Sequence, residues 1–348
     1  MFHLFQKPPC DLTSSRRDWL RSSATVAVAT ALPASMWLQA AHAQARELKA
    51  LSGFAPNIAF SRDIIRVYLD NVQKASSGQI TSRLSGPEVV PFADQFQPVS
   101  AGAFDLLFTH PAYHSGTTAI GLSMDAIEPD PAKRRSSGVF DFVDKHYNKL
   151  GLKVIAITPT GNKGFQFVTK QPIKGTQGLA GMKIRATVSY HPMIKALGGT
   201  PVVMGAGEVY SALEKGVIDA AAWGLTGVAD FKWNEVAKYL ARPTFGQASL
   251  YVYMSLKSWT AMSPAQQKLM TDEAIKLELS TVKRFDELAT EELVELKKRG
   301  MQETAFAPAD AARLEALWSD GVWEVAKAKN GAEADELRAI AKRANLTA

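Results

Sequence analysis

The chain has 348 residues, of which 46% are apolar and 21% charged, and a formal net charge of +6. That length supports two domains with a large buried core, and the composition is that of a soluble globular protein. So mild a charge, spread over the whole chain, gives no reason to invoke nucleic acid and favours anionic small molecules modestly.

The first forty-odd residues are a different kind of sequence. Ser15-Arg16-Arg17-Asp18-Trp19-Leu20 carries adjacent arginines, an uncharged run from Ser22 to Ala41 follows, and Ala41-His42-Ala43 has the small-x-small form of a cleavage site. Together they predict a twin-arginine export signal, residues 1–43, cut near Ala43, and hence a periplasmic protein. Pro33 interrupts the run and argues against a buried helix. Cleavage removes Lys7, Arg16, Arg17 and Arg21 against Asp11 and Asp18, bringing the charge down by two to about +4. Cys10, the only cysteine, leaves as well, so the mature chain has no disulfide and no cysteine metal site. It precedes the apolar run, which speaks against a lipoprotein anchor. No later stretch has the apolar length of a transmembrane helix.

Arg46 to Leu51 reads as a strand ended by Gly53-Phe54-Ala55-Pro56. Asn57 is placed to cap a helix whose Ile65, Tyr68, Leu69 and Val72 share one face, with Arg62, Asp63, Arg66 and Asp70 opposite. Gln79 to Leu84 alternates as a strand does. Gly102-Ala103-Phe104-Asp105 followed by three apolar residues repeats the logic of Gly216-Val217-Ile218-Asp219 followed by three alanines, as if one supersecondary element served in each of two similar lobes. Thr109-His110-Pro111 and Trp223 would then sit at corresponding strand ends facing one cleft. Leu152 to Ile157 and Phe165 to Thr169 are strands joined by the turn-rich Pro159 to Gly164, as a lobe crossing requires. Leu250 to Leu256 reads as a second crossing strand.

Between Gly181 and Trp223, the short runs Lys183 to Ala186, Pro201 to Met204 and Val217 to Ala222 alternate with helical segments Pro192 to Leu197 and Glu208 to Lys215. Such alternation indicates crossover connections and a mainly parallel sheet, with ligand beyond the carboxyl ends of the strands. Arg185 is near the end of the first strand, and Trp223 just past the end of the third. Ser263-Pro264-Ala265-Gln266 carries capping and first-turn signals, and helical composition persists to Lys298 before Gly300. At 1.5 Å per residue, a helix of about 35 residues spans roughly 50 Å, longer than one small lobe.

Leu179-Ala180-Gly181-Met182-Lys183-Ile184-Arg185, then Ala196-Leu197-Gly198-Gly199-Thr200-Pro201-Val202, then Glu208 through Ala220 closely resemble the solute-binding subunits of tripartite ATP-independent periplasmic (TRAP) transporters, DctP type. The resemblance implies a two-lobe α/β periplasmic binding protein with hinge-crossing strands and a long helix spanning both lobes. The expected lobes are residues 44–163 with about 250–290, and 164–249 with about 291–348. It also implies that Arg185 grips a substrate carboxylate, a task suited to a planar guanidinium. The partners it implies are an organic acid and the membrane permease subunits driven by an ion gradient.

The remaining candidates differ from that pattern in informative ways. Gln166 follows Gly161-Asn162-Lys163-Gly164-Phe165 where many dicarboxylate and sialic-acid binders of the family have a second arginine. The 2-oxo-acid binders look more like this chain, so a monocarboxylate is expected, unless a lysine or histidine from elsewhere, Lys163 or His110 among them, replaces the second cation. Ala222 stands where the 2-oxo-acid type has a glutamate that ligates sodium; alanine offers no oxygen, so no metal is expected. Trp223 follows it. His110-Pro111-Ala112-Tyr113-His114 spaces two histidines by four, but Pro111 argues against the continuous helix that chelation requires. Tyr113 and Phe54 are expected as apolar walls, and Asp105 and Asp219 as turn residues. With no G-x-S-x-G, no H-E-x-x-H and no mature cysteine, an exported hydrolase is disfavoured and neither an enzyme nor a cofactor is expected. The binding component of an ATP-driven importer is the other alternative.

Overall fold

The computed structural model describes residues 45–173 and 178–347; the expected export signal lies outside them. Among the described residues no helix is long and apolar enough to cross a membrane. Their strands are β1 (Arg46–Ser52), β2 (Ile80–Ser85), β3 (Leu106–Thr109), β4 (Leu152–Pro159), β5 (Phe165–Thr169), β6 (Lys183–Arg185), β7 (Thr200–Val202), β8 (Ala220–Gly224), β9 (Tyr239–Arg242), β10 (Ser249–Ser255) and β11 (Gln302–Ala305). They form two sheets, ordered β2-β1-β3-β10-β4 and β11-β9-β5-β8-β6-β7.

The two sheets repeat one plan. In the first, β1 pairs in parallel with β2 and β3, and β10 enters antiparallel between β3 and β4. In the second, β6 pairs in parallel with β7 and β8, and β5 enters antiparallel between β8 and β9. Each sheet thus receives its antiparallel strand just after the chain has crossed from the other.

The repeat extends to single hydrogen bonds. Gly102 (φ +81°) and Gly216 (φ +72°) take the left-handed turn that glycine adopts without strain. The Asp105 backbone N–H donates to the Lys49 carbonyl at 2.8 Å, and its Oδ2 accepts the Lys49 N–H at 2.8 Å. Asp219 makes the same pair with Lys183, at 2.8 and 2.8 Å. Each aspartate fastens two parallel strands of its lobe together, β1 to β3 in the first and β6 to β8 in the second, which explains why the motif recurs.

Two connections and the long helix cross between the lobes. Segments 160–164 and 246–248 run side by side, joined by the Thr160 N–H to the Ala248 carbonyl and the Gly164 N–H to the Gly246 carbonyl, both 2.9 Å. The long helix is Pro264–Lys298, closed at its start by a Ser263–Gln266 capping box. Three of its carboxylates hold it down in order. Glu278 accepts from Arg135 (2.6 and 3.0 Å) and from the Ile157 N–H (2.7 Å) in the first lobe. Asp286 accepts the Asn162 N–H at 2.8 Å at the crossing. Glu292 accepts the Gly227 and Ala229 N–H groups at 2.7 and 3.0 Å in the second lobe. From Glu278 to Glu292 the helix rises about 20 Å, so it works as a strut between lobes.

Three expectations need correction or refinement. The first helix buries Ile65, Tyr68, Leu69 and Val72 as its periodicity predicts, but Asn57 does not cap it. Helical backbone runs from residue 59 with a wide π turn at Ser61–Ile65 and no side-chain cap, while the Asn57 carbonyl accepts from Arg62. The strand expected over Val217 to Ala222 is Ala220–Gly224 (β8), so Trp223 lies inside it; Val217 to Asp219 is turn, because Gly216 and the Asp219–Lys183 pair come first. The carboxyl-terminal region, expected with the second lobe, packs on both. Trp318 and Val322 of helix Leu314–Asn330 join the second lobe's core, whereas Trp323, Ala326 and helix Ala332–Arg343 join the first lobe's core.

Candidate ligand-binding site

A cavity of about 40 Å³ lies where the two sheets and the crossing strands meet. Phe54, Phe60, His110 and Tyr113 line it from the first lobe. From the second come Phe165, Arg185, Thr187, Tyr190, Trp223 and Gly224, and from the crossing Ala248 and Leu250. The volume holds about three waters, and residues of both lobes surround it. Rings meet across the cleft, where Phe60 lies 6.1 Å from Trp223 while resting 5.1 Å from Phe54 of its own lobe.

Arg185 ends β6 and is only 1% exposed. Its Nε–H donates to the Met204 carbonyl at 3.1 Å and its Nη1–H to the Ala222 carbonyl at 3.2 Å. The guanidinium carbon sits 5.0 Å from the Trp223 ring centre, a cation–π contact. Two carbonyls and a ring orient the group but carry no full negative charge. Among the described residues no Asp or Glu forms an ion pair with it. A buried cation without a counter-ion costs several kcal/mol, and an anion in the cavity would offset that cost.

The hydroxyls around it are donors. Burial pushes the Tyr113 phenol above its usual range, against the opposing pull of the adjacent Arg185. Burial raises Tyr190 further, again opposed by Arg185. Both therefore stay protonated at neutral pH. The Trp223 Nε1–H donates to the Thr226 carbonyl at 3.0 Å, so Trp223 offers the cavity its ring and not its N–H.

His110, 8% exposed, lines the cavity with both nitrogens in use: Nδ1 accepts from the Ala112 N–H at 3.2 Å, and Nε2 lies 2.9 Å from Asp125 Oδ2. That pattern fixes the neutral tautomer with the proton on Nε2, leaving no N–H free for ligand. His114 faces elsewhere, its Nε2 3.0 Å from the Tyr147 hydroxyl, and among the described residues no cluster of three metal-type ligands exists. Burial pushes the His114 imidazole down to about 3. A folded-state value below the unfolded value near 6.5 means that its contribution to stability is complete above pH 6.5 and is lost as pH falls from there toward 3. Denaturant titrations at pH 7 and pH 5 should show wild type losing about 2 kcal/mol more than His114→Gln. Equal losses would show that this imidazole is not held neutral.

Gln166 does not reach the cavity. The cavity takes residues from both faces of the sheet, Phe165 from one and Trp223, the register partner of Gln166, from the other. Gln166, 2% exposed, instead donates to the Gly224 carbonyl at 3.3 Å and accepts from Arg242 at 3.0 Å, outside the lining. Lys163 also lies outside the cavity lining. Ala222 supplies a carbonyl to Arg185 and no side-chain oxygen. Phe60, Phe165 and Tyr190 join the lining without a signal in the sequence, since a buried aromatic in a strand or helix has the same pattern whether it lines core or cleft; Thr187 joins it as well.

The family model for DctP, the bacterial extracellular solute-binding proteins of family 7, matches residues 72–327. A monocarboxylate 2-oxoacid-binding periplasmic protein of Nostoc sp. is 25% identical over 225 residues, 61% of this chain and 61% of that one. Curated relatives are matched over between 36% and 61% of their own lengths. Among solved structures, a TRAP periplasmic solute-binding protein from Desulfovibrio salexigens with bound orotic acid superposes with a TM-score of 0.76 at 21% identity, covering 86% of this chain and 98% of that one. A TRAP solute-binding protein from Bordetella bronchiseptica with calcium and picolinate in its site gives 0.75 at 20% identity, covering 86% and 92%. These likenesses show a shared two-lobe fold.

Proposed function

The chain belongs to the DctP family of bacterial extracellular solute-binding proteins, and from that premise we propose that it captures a small organic monocarboxylate for a TRAP permease driven by an ion gradient. The observation that carries this is the buried Arg185 guanidinium, oriented by two carbonyls, unpaired with any acid among the described residues and facing an aromatic cavity. The ligand carboxylate would accept from the guanidinium's remaining N–H groups and from the Tyr113 and Tyr190 hydroxyls, with flat rings above and below its carbon frame. A single cation in the lining, with His110 neutral and Lys163 elsewhere, favours one carboxylate over two. The resemblance to a 2-oxoacid binder points the same way. The family binds solutes and carries them unchanged, which sets the hydrolase reading aside. The ATP-driven importer has no observation in its favour. The amino-terminal signal is the proposed route of export.

The test is a thermal-shift screen of protein refolded to strip carried ligand, against mono- and dicarboxylates, with and without sodium and calcium. A ligand selective for the native state at a hundred times its Kd stabilises by about 2.7 kcal/mol. We expect clear shifts with monocarboxylates and much smaller ones with C4-dicarboxylates, with or without metal. A strict calcium or sodium requirement would overturn the metal-free reading. Silence across the panel would remove the organic-acid assignment.

A further inference from the structure

The segment after β8 joins three parts of the molecule. On one side Glu292 of the long helix holds the Gly227 and Ala229 N–H groups. Toward the cavity, the Thr226 carbonyl accepts from Trp223. On the remaining side Asp230 reaches into the opposite lobe. Its Oδ2 accepts the Ala59 backbone N–H at 3.1 Å and lies 3.4 Å from Arg62 Nη1. Ala59 opens the first lobe's uncapped helix, so its N–H belongs to the group of helix-start donors that have no intrahelical partner. A carboxylate there gains from both the orphan donor and the helix dipole. Phe60, next in sequence, is a cavity wall that meets Trp223.

On the reading of this cleft as a carboxylate site, we infer that Asp230 is a positioning residue: it caps the first lobe's helix across the cleft mouth and so latches the closed state. It touches no ligand. It completes a helix cap that exists only when the lobes are together, and the missing cap on Asn57's side is what leaves the donor available. Because Trp223 and Asp230 flank one short loop anchored by Glu292, seating of ligand against the Trp223 ring and engagement of the latch occur on the same rigid piece. Closure energy then has a part from ligand and a part from the latch, and removing the latch shifts the population toward open.

The experiment compares wild type, Asp230→Ala and Arg62→Gln. Stopped-flow fluorescence follows the association and dissociation of pyruvate and of pyroglutamate. Spin labels at the exposed Gln73 and Lys215 report the distance between lobes with and without acid. For Asp230→Ala we expect dissociation about tenfold faster, association nearly unchanged, and a longer-distance population that persists at saturation. Arg62→Gln should give a smaller change in the same direction, since the Ala59 N–H bond remains. Unfolding curves of the ligand-free proteins check that Asp230→Ala is folded, and Arg62→Gln carries the test if it is not. Wild-type dissociation rates and distances in both variants would overturn the latch. If wild type binds neither acid, it is the site reading that fails for them, and the ligand-free distances then decide alone: identical distributions in wild type and Asp230→Ala overturn the latch, and a shift to longer distances supports it.

Discussion

Arg185→Ala is expected to weaken binding of the cognate acid by a hundredfold or more. Truncating one member of a buried, hydrogen-bonded charge pair costs on the order of 2–5 kcal/mol, and here the cavity lining holds no second cation to take its place. The Met204 and Ala222 carbonyls, which now orient the guanidinium, would turn their negative ends toward the ligand's carboxylate. The loss therefore has two sources, a missing attraction and an added repulsion. Arg185→Lys should recover only part of it: an ammonium keeps the charge but cannot donate to both carbonyls and still present a planar fork to the carboxylate. The ligand-free melting temperature should move much less than the affinity, because the protein bears the desolvation of that cation before any ligand arrives. Calorimetric titration of the three proteins with the acid that stabilises wild type makes the comparison. Unchanged affinity in Arg185→Ala would take this residue out of the site.

Arg185 is legible in the sequence because a guanidinium at a strand end, inside a long ordered block of family-like residues, has little to do there except meet an anion. The strands are legible for a similar reason, since alternation and glycine turns are local signals. The place of Gln166 outside the cavity is not. Period two puts Phe165 and Gln166 on opposite faces, yet the cavity takes Phe165 from one face and Trp223, the register partner of Gln166, from the other, so which residues line it depends on how the strand ends meet the opposite lobe and not on the segment. The start of β8 is equally hidden, because Val217 and Ile218 are as apolar as a strand although the Asp219–Lys183 pair makes that stretch a turn. Asp230 carries no signal at all. A lone aspartate after a loop becomes meaningful only when the opposite lobe brings the Ala59 N–H to within 3.1 Å of it. Local chemistry thus foretells the elements and the anchoring cation, while everything that depends on two lobes meeting comes only with the fold.

The meeting of the lobes also sets the most demanding position in the backbone. Gly164 lies in the crossing between β4 and β5, where a Cβ would fall 2.3 Å from the Ala248 nitrogen and 2.6 Å from the Gln247 carbonyl carbon and Cα. Those are backbone atoms and cannot rotate aside. They belong to the other crossing segment, tied to this one by the Gly164 N–H bond to Gly246 and the Thr160 N–H bond to Ala248. Gly164→Ala must therefore spread the ribbon, break one or both bonds and displace Ala248, which lines the cavity. Overpacking of this kind costs typically 1–3 kcal/mol and occasionally more; with lost hydrogen bonds added we expect about 3 kcal/mol or more from denaturant unfolding, together with weaker acid binding. Gly116→Ala, where nothing lies within 4 Å of the added atom, is the matched control and should change stability by less than about 0.5 kcal/mol. If Gly164→Ala unfolds and binds like wild type, the two crossing segments are not in the contact that the closed fold requires, and the hinge must lie elsewhere along the chain.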